Sequence, residues 1–319
     1  MSQNTPLIET IGLKKYFKVG KSSWLHAVDG VDLTIGAGRT LGVVGESGCG
    51  KSTLGRTVLQ LLQPTAGSVL FNGEDITKCG RRRMKEMCRE MQIIFQDPYA
   101  SLNPRMTVAE IIAQPLLINK IIPDHLELWK RVDELMDTVG LAKRLRSAYP
   151  HELDGGRRQR IGVARALSLK PKFIVCDEPV SALDVSIQAQ ILNLLMDLQD
   201  EMGLTYMFIT HDLSVVKHIS DDIAVMYLGQ CVEKAPSREL FHHPLHPYTK
   251  ALLSAIPVPS LSARNNRPEL IKGEVSNPID PQPGCRFAKR CPACGAACTE
   301  KDVELKEVEP SHFVACHLV

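Results

Sequence analysis

A chain of 319 residues that is 44% hydrophobic and 23% charged has enough apolar matter for one large or two ordinary packed domains, which excludes a disordered or fibrous chain. Its 38 basic and 36 acidic side chains leave a formal net charge of +2, so nothing points to nucleic acid or anionic lipid as the main partner. No apolar run reaches the roughly 18 to 20 residues of a membrane span. The opening MSQNTPLIETIGLKKYF has no basic leader followed by an apolar block. The expectation is a soluble, intracellular protein.

In chain order, Leu7 to Leu13, Ala27 to Ile35 and Ser68 to Asn72 read as short strands between turn residues. Thr40 to Val44 is an apolar run of the buried-strand type that empties into a glycine-rich loop. The Arg81-Arg82-Arg83 run reads as a solvated helix face. From Thr107 to Tyr149 the pattern turns helical, with Leu128, Val132, Leu135, Met136 and Val139 on one face. Phe173 to Cys176, Tyr206 to Ile209 and Ile223 to Leu228 read as buried strands. An amphipathic helix between the first two carries Ile187, Ile191, Leu194, Leu195 and Leu198 inward. Strands alternating with helices predict a mostly parallel sheet covered on both faces. After about Ala235 the chain becomes rich in proline and histidine, then in cysteine, which predicts a boundary between 1–236 and 237–319.

Two motifs carry chemistry. Gly45-Glu46-Ser47-Gly48-Cys49-Gly50-Lys51-Ser52-Thr53 directly follows the strand Leu41 to Val44 and fits a phosphate-binding loop. Glycines let consecutive N–H groups converge on a phosphate, and the following helix adds its positive end. Lys51 is suited to the β- and γ-phosphates and the Ser52 hydroxyl to Mg²⁺. The second motif is the strand Phe173 to Cys176 ending in Asp177-Glu178. Asp177 is placed for a Mg²⁺–water contact and Glu178 for a general base or water-orienting role.

With these residues in view, the chain resembles the ATP-binding subunits of ABC transporters over most of its length. That resemblance implies an α/β P-loop ATPase with a parallel-sheet core, an antiparallel β subdomain, a helical subdomain at about 106–150 and a small Cys-rich C-terminal extension. Gln96 resembles the Q-loop glutamine that senses Mg²⁺, and Leu153-Asp154-Gly155-Gly156-Arg157 stands where the family signature belongs. Ser181-Ala182-Leu183-Asp184 resembles the D-loop, and His211 the switch histidine that contacts the γ-phosphate. Phe17, or alternatively Tyr16, sits where the family stacks an aromatic on adenine. Phe95 to Met106 and His243-Pro244-Leu245-His246-Pro247-Tyr248-Thr249 narrow the likeness to the oligopeptide/dipeptide importer branch.

The resemblance implies ATP and Mg²⁺ as cofactors and a head-to-tail heterodimer with a second, nonidentical ATPase subunit. It further implies two transmembrane permeases, an extracytoplasmic substrate-binding protein, and a peripheral place on the cytoplasmic face of the membrane. Relatives carry nickel complexes or glutathione, and some proteins with these motifs act in DNA repair or translation. Against that last class, one cassette is present and no heptad run separates Lys51 from Gly155.

Two departures call for notice. Ten cysteines occur, five of them (Cys285, Cys291, Cys294, Cys298, Cys316) in the last 35 residues, and the other five read as small buried residues. The branch associates Cys285, Cys291, Cys298 and Cys316 with a [4Fe–4S] centre. Cys294 creates a competing set suited to Zn²⁺, with His317 as a further ligand, and plain reduced thiols are the third reading. The other departure is Asp154, where the family has a serine that donates to the γ-phosphate held by the opposite subunit. An aspartate remains a good helix cap, and Arg157 is placed to neutralise it at i, i+3 spacing.

Overall fold

The computed structural model describes residues 6–256, 273 and 278–319. Residues 1–5, where the opening-segment reading begins, and 257–272 and 274–277 of the expected C-terminal domain lie outside the described residues. Two compact units are present, one taking the chain up to Lys78 and again from Phe208, the other Cys79–Met207. Among the described residues no helix is long and apolar enough to cross a membrane.

The first unit contains an antiparallel sheet in the order Ser23–Ile35, Ile8–Val19, Ala66–Phe71, Glu74–Asp75. Val31, Leu33 and Ile35 are buried while the residues between them are exposed, the period-2 pattern of a half-buried strand. Another strand of this unit, Thr40–Val44, leads into the glycine-rich loop. Thr40–Val44 is buried at every position and runs parallel to Asp222–Tyr227, with Val44 opposite Val225. Asp222–Tyr227 pairs antiparallel with Gln230–Pro236 across the two-residue turn Leu228-Gly229.

Gln230–Pro236 also pairs with His312–Val314, which pairs in turn with Lys306–Glu309. The tail thus returns as sheet strands beside residue 236, and the compact units do not divide there. Apolar packing follows suit: Tyr227, Tyr248 and Phe287 are fully buried, with ring centroids 4.7 to 5.4 Å apart. Each aromatic comes from a different stretch of the sequence, and together they fuse the proline–histidine segment and the cysteine segment to the central strands.

In the second unit Met91–Ile94 lies parallel to Phe173–Asp177, Met91 opposite Phe173. Thr107 and Glu110 form a capping box for the helix Val108–Ile118, and Asp124 caps His125–Thr138. Leu128, Val132, Leu135, Met136 and Val139 are all buried, so the predicted face is the packed one. Arg82 and Arg83 lie on the exposed side of helix Arg81–Glu90 and pair with Glu86.

The helix Val185–Met202 departs from expectation. Ile191, Leu195 and Leu198 are buried, but Ile187 and Leu194 are only half-buried and Leu192 is buried in their stead. A second departure concerns the scattered cysteines: Cys49, Cys176 and Cys231 are buried, whereas Cys79 is half-buried and Cys88 exposed. Neither of those two sits in a core segment; Cys88 is on the polar helix Arg81–Glu90.

His246 caps the helix Pro247–Ser254 by accepting the Tyr248 N–H on Nδ1 at 3.0 Å. Burial pushes its pKa down from 6.5 to about 4. Above 6.5 the ring is neutral in both states; between 6.5 and 4 only the unfolded chain takes up the proton, so stability falls as pH drops. Urea unfolding at pH 7 and pH 5 should differ by about 2 kcal/mol from this group alone. His246→Asn, which keeps an oxygen for the cap, should flatten the difference. An unchanged pH slope in that variant would assign acid sensitivity elsewhere.

Candidate functional site

The loop between Thr40–Val44 and the helix Lys51–Val58 belongs to the first unit. Gly50, at the helix N-cap, has φ 105°, and a Cβ on it would fall 2.0 Å from the Ala27 carbonyl oxygen. Only glycine fits there. Lys51 is 4% exposed, and its Nζ donates to the carbonyl oxygens of Gly45 and Glu46 at 2.8 and 3.0 Å. The ammonium is thereby folded under the loop. Gly48 has φ 77°, with no atom within 4 Å of where its Cβ would stand. A positively charged group beneath a glycine backbone with an open face fits a polyphosphate.

The loop is clamped from behind. Cys49 accepts the Gly229 N–H of the hairpin turn at 2.8 Å. The Glu46 N–H donates to the Tyr248 hydroxyl at 2.9 Å. The Glu46 carboxylate receives both terminal nitrogens of Arg290, at 2.7 and 3.0 Å. Arg290 is 7% exposed, so this is a shielded, bidentate ion pair. Four residues earlier in the tail, Arg286 pairs with Asp29 and donates to the Leu228 carbonyl. Asp29 also receives the Tyr16 hydroxyl, and Tyr16 stacks on His26 at 3.9 Å. Burial and the Asp29 hydrogen bond push the Tyr16 pKa up, so the hydroxyl keeps its proton.

Of the two aromatics proposed for adenine, Tyr16 is thus engaged with Asp29 and His26. Phe17 is half-buried on the same strand, with the Lys15 ammonium 5.1 Å from its ring. His211 is exposed. It follows Thr210, whose N–H donates to Val43 in the strand that feeds the loop, and it precedes Asp212, which caps the helix Leu213–Ile219. Sequence reasoning missed the roles of Glu46, Tyr248, Arg286 and Arg290. The one available signal was a carboxylate inside an otherwise neutral glycine loop.

In the second unit, Asp177 ends a fully buried strand and is 1% exposed. Glu178 follows with φ 48°, a left-handed conformation that costs a glutamate of order 1 kcal/mol and recurs where side chains are held for a task. Gln96 Nε2 donates to Glu178 Oε2 at 2.9 Å, which brings two of the predicted residues together. Asp154 caps the helix Gly155–Leu167: Oδ1 accepts the Arg157 N–H at 2.8 Å and Oδ2 lies 3.3 Å from Arg157 Nη1. Both carboxylate oxygens are turned back onto their own helix. A Cβ on Gly156 would fall 2.6 Å from Ile187 Cγ2, so Ile187 packs on the signature glycine, not in the core.

The tail thiols gather around Cys285. Its N–H donates to the Cys298 carbonyl at 2.8 Å, and burial pushes its thiol pKa up to about 11, with Cys298, Cys316 and Cys291 adding to the rise. Cys294 is exposed, yet its thiol neighbours those of Cys298 and Cys291 and so belongs to the same group. Among the described residues no three of these thiols bring their sulfurs within 4.8 Å of one another. Tetrahedral zinc needs sulfur–sulfur edges of about 3.8 Å.

Residues 28–181 match the family described as ABC transporter, and 232–298 match the oligopeptide/dipeptide transporter, C-terminal region. The oligopeptide transport ATP-binding protein OppF of Bacillus subtilis is 51% identical, covering 97% of this chain and 96% of its own. The oligopeptide transport ATP-binding protein AppF of the same organism is 49% identical, covering 98% of this chain and 97% of its own. Among solved structures, the ATP-binding cassette MJ0796, in a dimeric post-hydrolysis state bound to ADP and Pi, is similar with a TM-score of 0.66 and 28% identity. It covers 72% of this chain and 99% of its own.

Arg290→Ala removes both hydrogen bonds that hold the Glu46 carboxylate and should weaken ATP binding by roughly tenfold. Arg290→Lys should restore only part of the loss, because an ammonium cannot form the fork. Equilibrium titration with a fluorescent ATP analogue checks this. Equal affinity in all three proteins would show that the loop holds its shape without the clamp.

Proposed function

The chain belongs to the ATP-binding proteins of the ABC transporter family, in the branch carrying the oligopeptide/dipeptide C-terminal region, and on that premise we propose that it is the ATP-hydrolysing subunit of a peptide importer. The observation that carries the reading is the double grip on Glu46. Tyr248 and Arg290 both lie within the C-terminal region matched at 232–298, and both hold the phosphate loop. The branch-specific segment is thus built into the nucleotide-binding machinery. Hydrolysis of ATP to ADP and phosphate is coupled to transport, with membrane permeases as partners.

The roles assigned to this chain follow its chemistry. Backbone N–H groups of the Gly45 to Thr53 loop, other than the Glu46 N–H that Tyr248 holds, and the Lys51 ammonium bind the β- and γ-phosphates. Ser52, Gln96 and Asp177 are the groups for Mg²⁺, which when bound neutralises charge developing on the transferred phosphoryl group. Glu178, steadied by Gln96, orients the attacking water and accepts its proton as the oxygen bonds to the γ-phosphorus and ADP leaves. His211 steadies the γ-phosphate, and Phe17 stacks on adenine. Gly155 and Gly156 present their N–H groups to nucleotide held by a second, nonidentical ATPase subunit in a head-to-tail pair. Exposed Leu117, Ile118 and Leu126 give the helical segment apolar surface suited to a permease. An extracytoplasmic binding protein completes the importer, and this chain sits on the cytoplasmic face.

The capped and paired Asp154 carboxylate has no hydroxyl to offer the opposite nucleotide. The two ATP sites of the assembled transporter are therefore unequal, with most turnover at the one where Glu178 serves as the base. In the assembled complex Glu178→Gln should keep ATP bound and slow hydrolysis by two orders of magnitude or more. The equivalent change in the partner should cost little, and Lys51→Ala should lose nucleotide affinity. Equal losses from the two glutamate variants would refute the inequality; unchanged turnover in Glu178→Gln would refute the base.

For the tail, the thiols of Cys291, Cys298 and Cys316 neighbour that of Cys285, and these four are the proposed ligands of a [4Fe–4S] centre, with Zn²⁺ as the alternative. Burial raises the pKa values of Cys285, Cys291 and Cys316, so ligation by these thiols must expel protons. Anaerobically purified protein should contain about four iron atoms per chain and absorb broadly in the blue. Stoichiometric zinc without iron would reverse the choice.

A further inference from the structure

Away from the phosphate loop and the tail thiols, one polar cluster of the first unit is built unlike the rest. His312 opens the strand His312–Val314 and is 0% exposed. Its Nε2 lies 2.8 Å from Oε1 of Glu233, a carboxylate that is also fully buried. Glu233 already accepts the Leu245 and His246 N–H groups at 2.7 and 3.0 Å. With two N–H donors aimed at it, Glu233 acts as an acceptor, and the ring places its proton on Nε2. The lone pair is then on Nδ1. That atom is buried, makes no hydrogen bond, and lies 3.8 Å from Oε2 of Glu309.

A ring nitrogen of His312 and one carboxylate oxygen each from Glu239 and Glu309 all lie within 4.8 Å of one another. Glu239 comes from the helix Ser237–His242 and Glu309 from the strand Lys306–Glu309, and both are exposed. A buried acceptor without a donor is costly, and two like charges gathered beside it add repulsion. A cation cancels both penalties at once. The arrangement behind the ring is the one that metal-binding histidines use: the far nitrogen donates to a carboxylate, which fixes the tautomer and aims the free lone pair.

We propose that His312, Glu239 and Glu309 form a binding site for a divalent transition-metal ion, with Glu233 as the residue that positions the imidazole. One imidazole and two carboxylates with open positions toward solvent suit Zn²⁺, Co²⁺ or Mn²⁺ and disfavour a soft, thiolate-seeking ion. Bond lengths of about 2.0–2.2 Å require the two exposed glutamates to swing inward by about an ångström, which solvent-facing side chains can do. Bound there, the ion ties the tail hairpin to the helix that follows Gln230–Pro236. The site shares no residue with the tail thiols or the phosphate loop, so it stands whether or not the nucleotide reading does.

The test uses Mn²⁺, which thiols bind poorly, on the nucleotide-free full chain, with the electron paramagnetic resonance signal of free Mn²⁺ as the readout. The parent should remove one equivalent of Mn²⁺ per chain. Glu239→Gln and Glu309→Gln should each weaken uptake by roughly tenfold or more, and the double variant should abolish it. Both positions are exposed, so far-UV circular dichroism should report an intact fold throughout. Undiminished uptake in the double variant overturns the proposal. So does a parent that leaves the Mn²⁺ signal untouched up to millimolar concentration.

Discussion

A backbone loop that gathers N–H groups around an anion has no ladder of its own, so its shape depends on what holds it from outside. Here three holds converge on a few residues. The hairpin turn bonds Cys49, the Tyr248 hydroxyl accepts the Glu46 N–H, and Arg290 grips the Glu46 carboxylate. The Ala27 carbonyl closes against Gly50 so tightly that no side chain fits. Without these, Lys51 would have no reason to lie folded under Gly45 and Glu46.

The same logic explains how the tail is attached. Its strands are short and Lys306–Glu309 is exposed along its whole length, so apolar burial there is small. Shielded polar contacts take over: the ion pairs of Arg286 with Asp29 and Arg290 with Glu46, and the hydrogen bond of His312 to Glu233. Such pairs contribute little net stability, because desolvation offsets most of the attraction, but breaking one partner leaves a buried charge uncompensated. They therefore select one register for the tail more than they deepen the energy minimum. Aromatic packing of Phe287 against Tyr227 and Tyr248 supplies the apolar share.

Much of the fold was legible because it rests on local pattern. Thr40–Val44 and Phe173–Asp177 are continuous apolar runs ending in chemistry, and the face with Leu128, Val132 and Leu135 follows helical spacing. The cap at Asp154 was equally local. What escaped was either polar or distant. His312–Val314 is too short and Lys306–Glu309 too charged to announce a strand, and Glu46 and Arg290 are 244 positions apart. Ile187 and Leu194 looked like core because periodicity marks a face without saying how far it wraps; Ile187 faces a glycine of the signature segment instead. Where one carboxylate meets one arginine across most of the chain, no periodic signal exists to read.

That separation has a consequence for how the protein is made. The phosphate loop is synthesised early, but Tyr248 and Arg290, which hold it, lie 202 and 244 residues later. A ribosome producing this chain therefore exposes a glycine-rich loop long before its supports exist. Contacts of such long sequence separation form late, after the intervening chain has been fixed in place. Nucleotide-binding geometry is thus among the last features to be completed, and a chain interrupted before residue 290 carries the motif without the means to shape it.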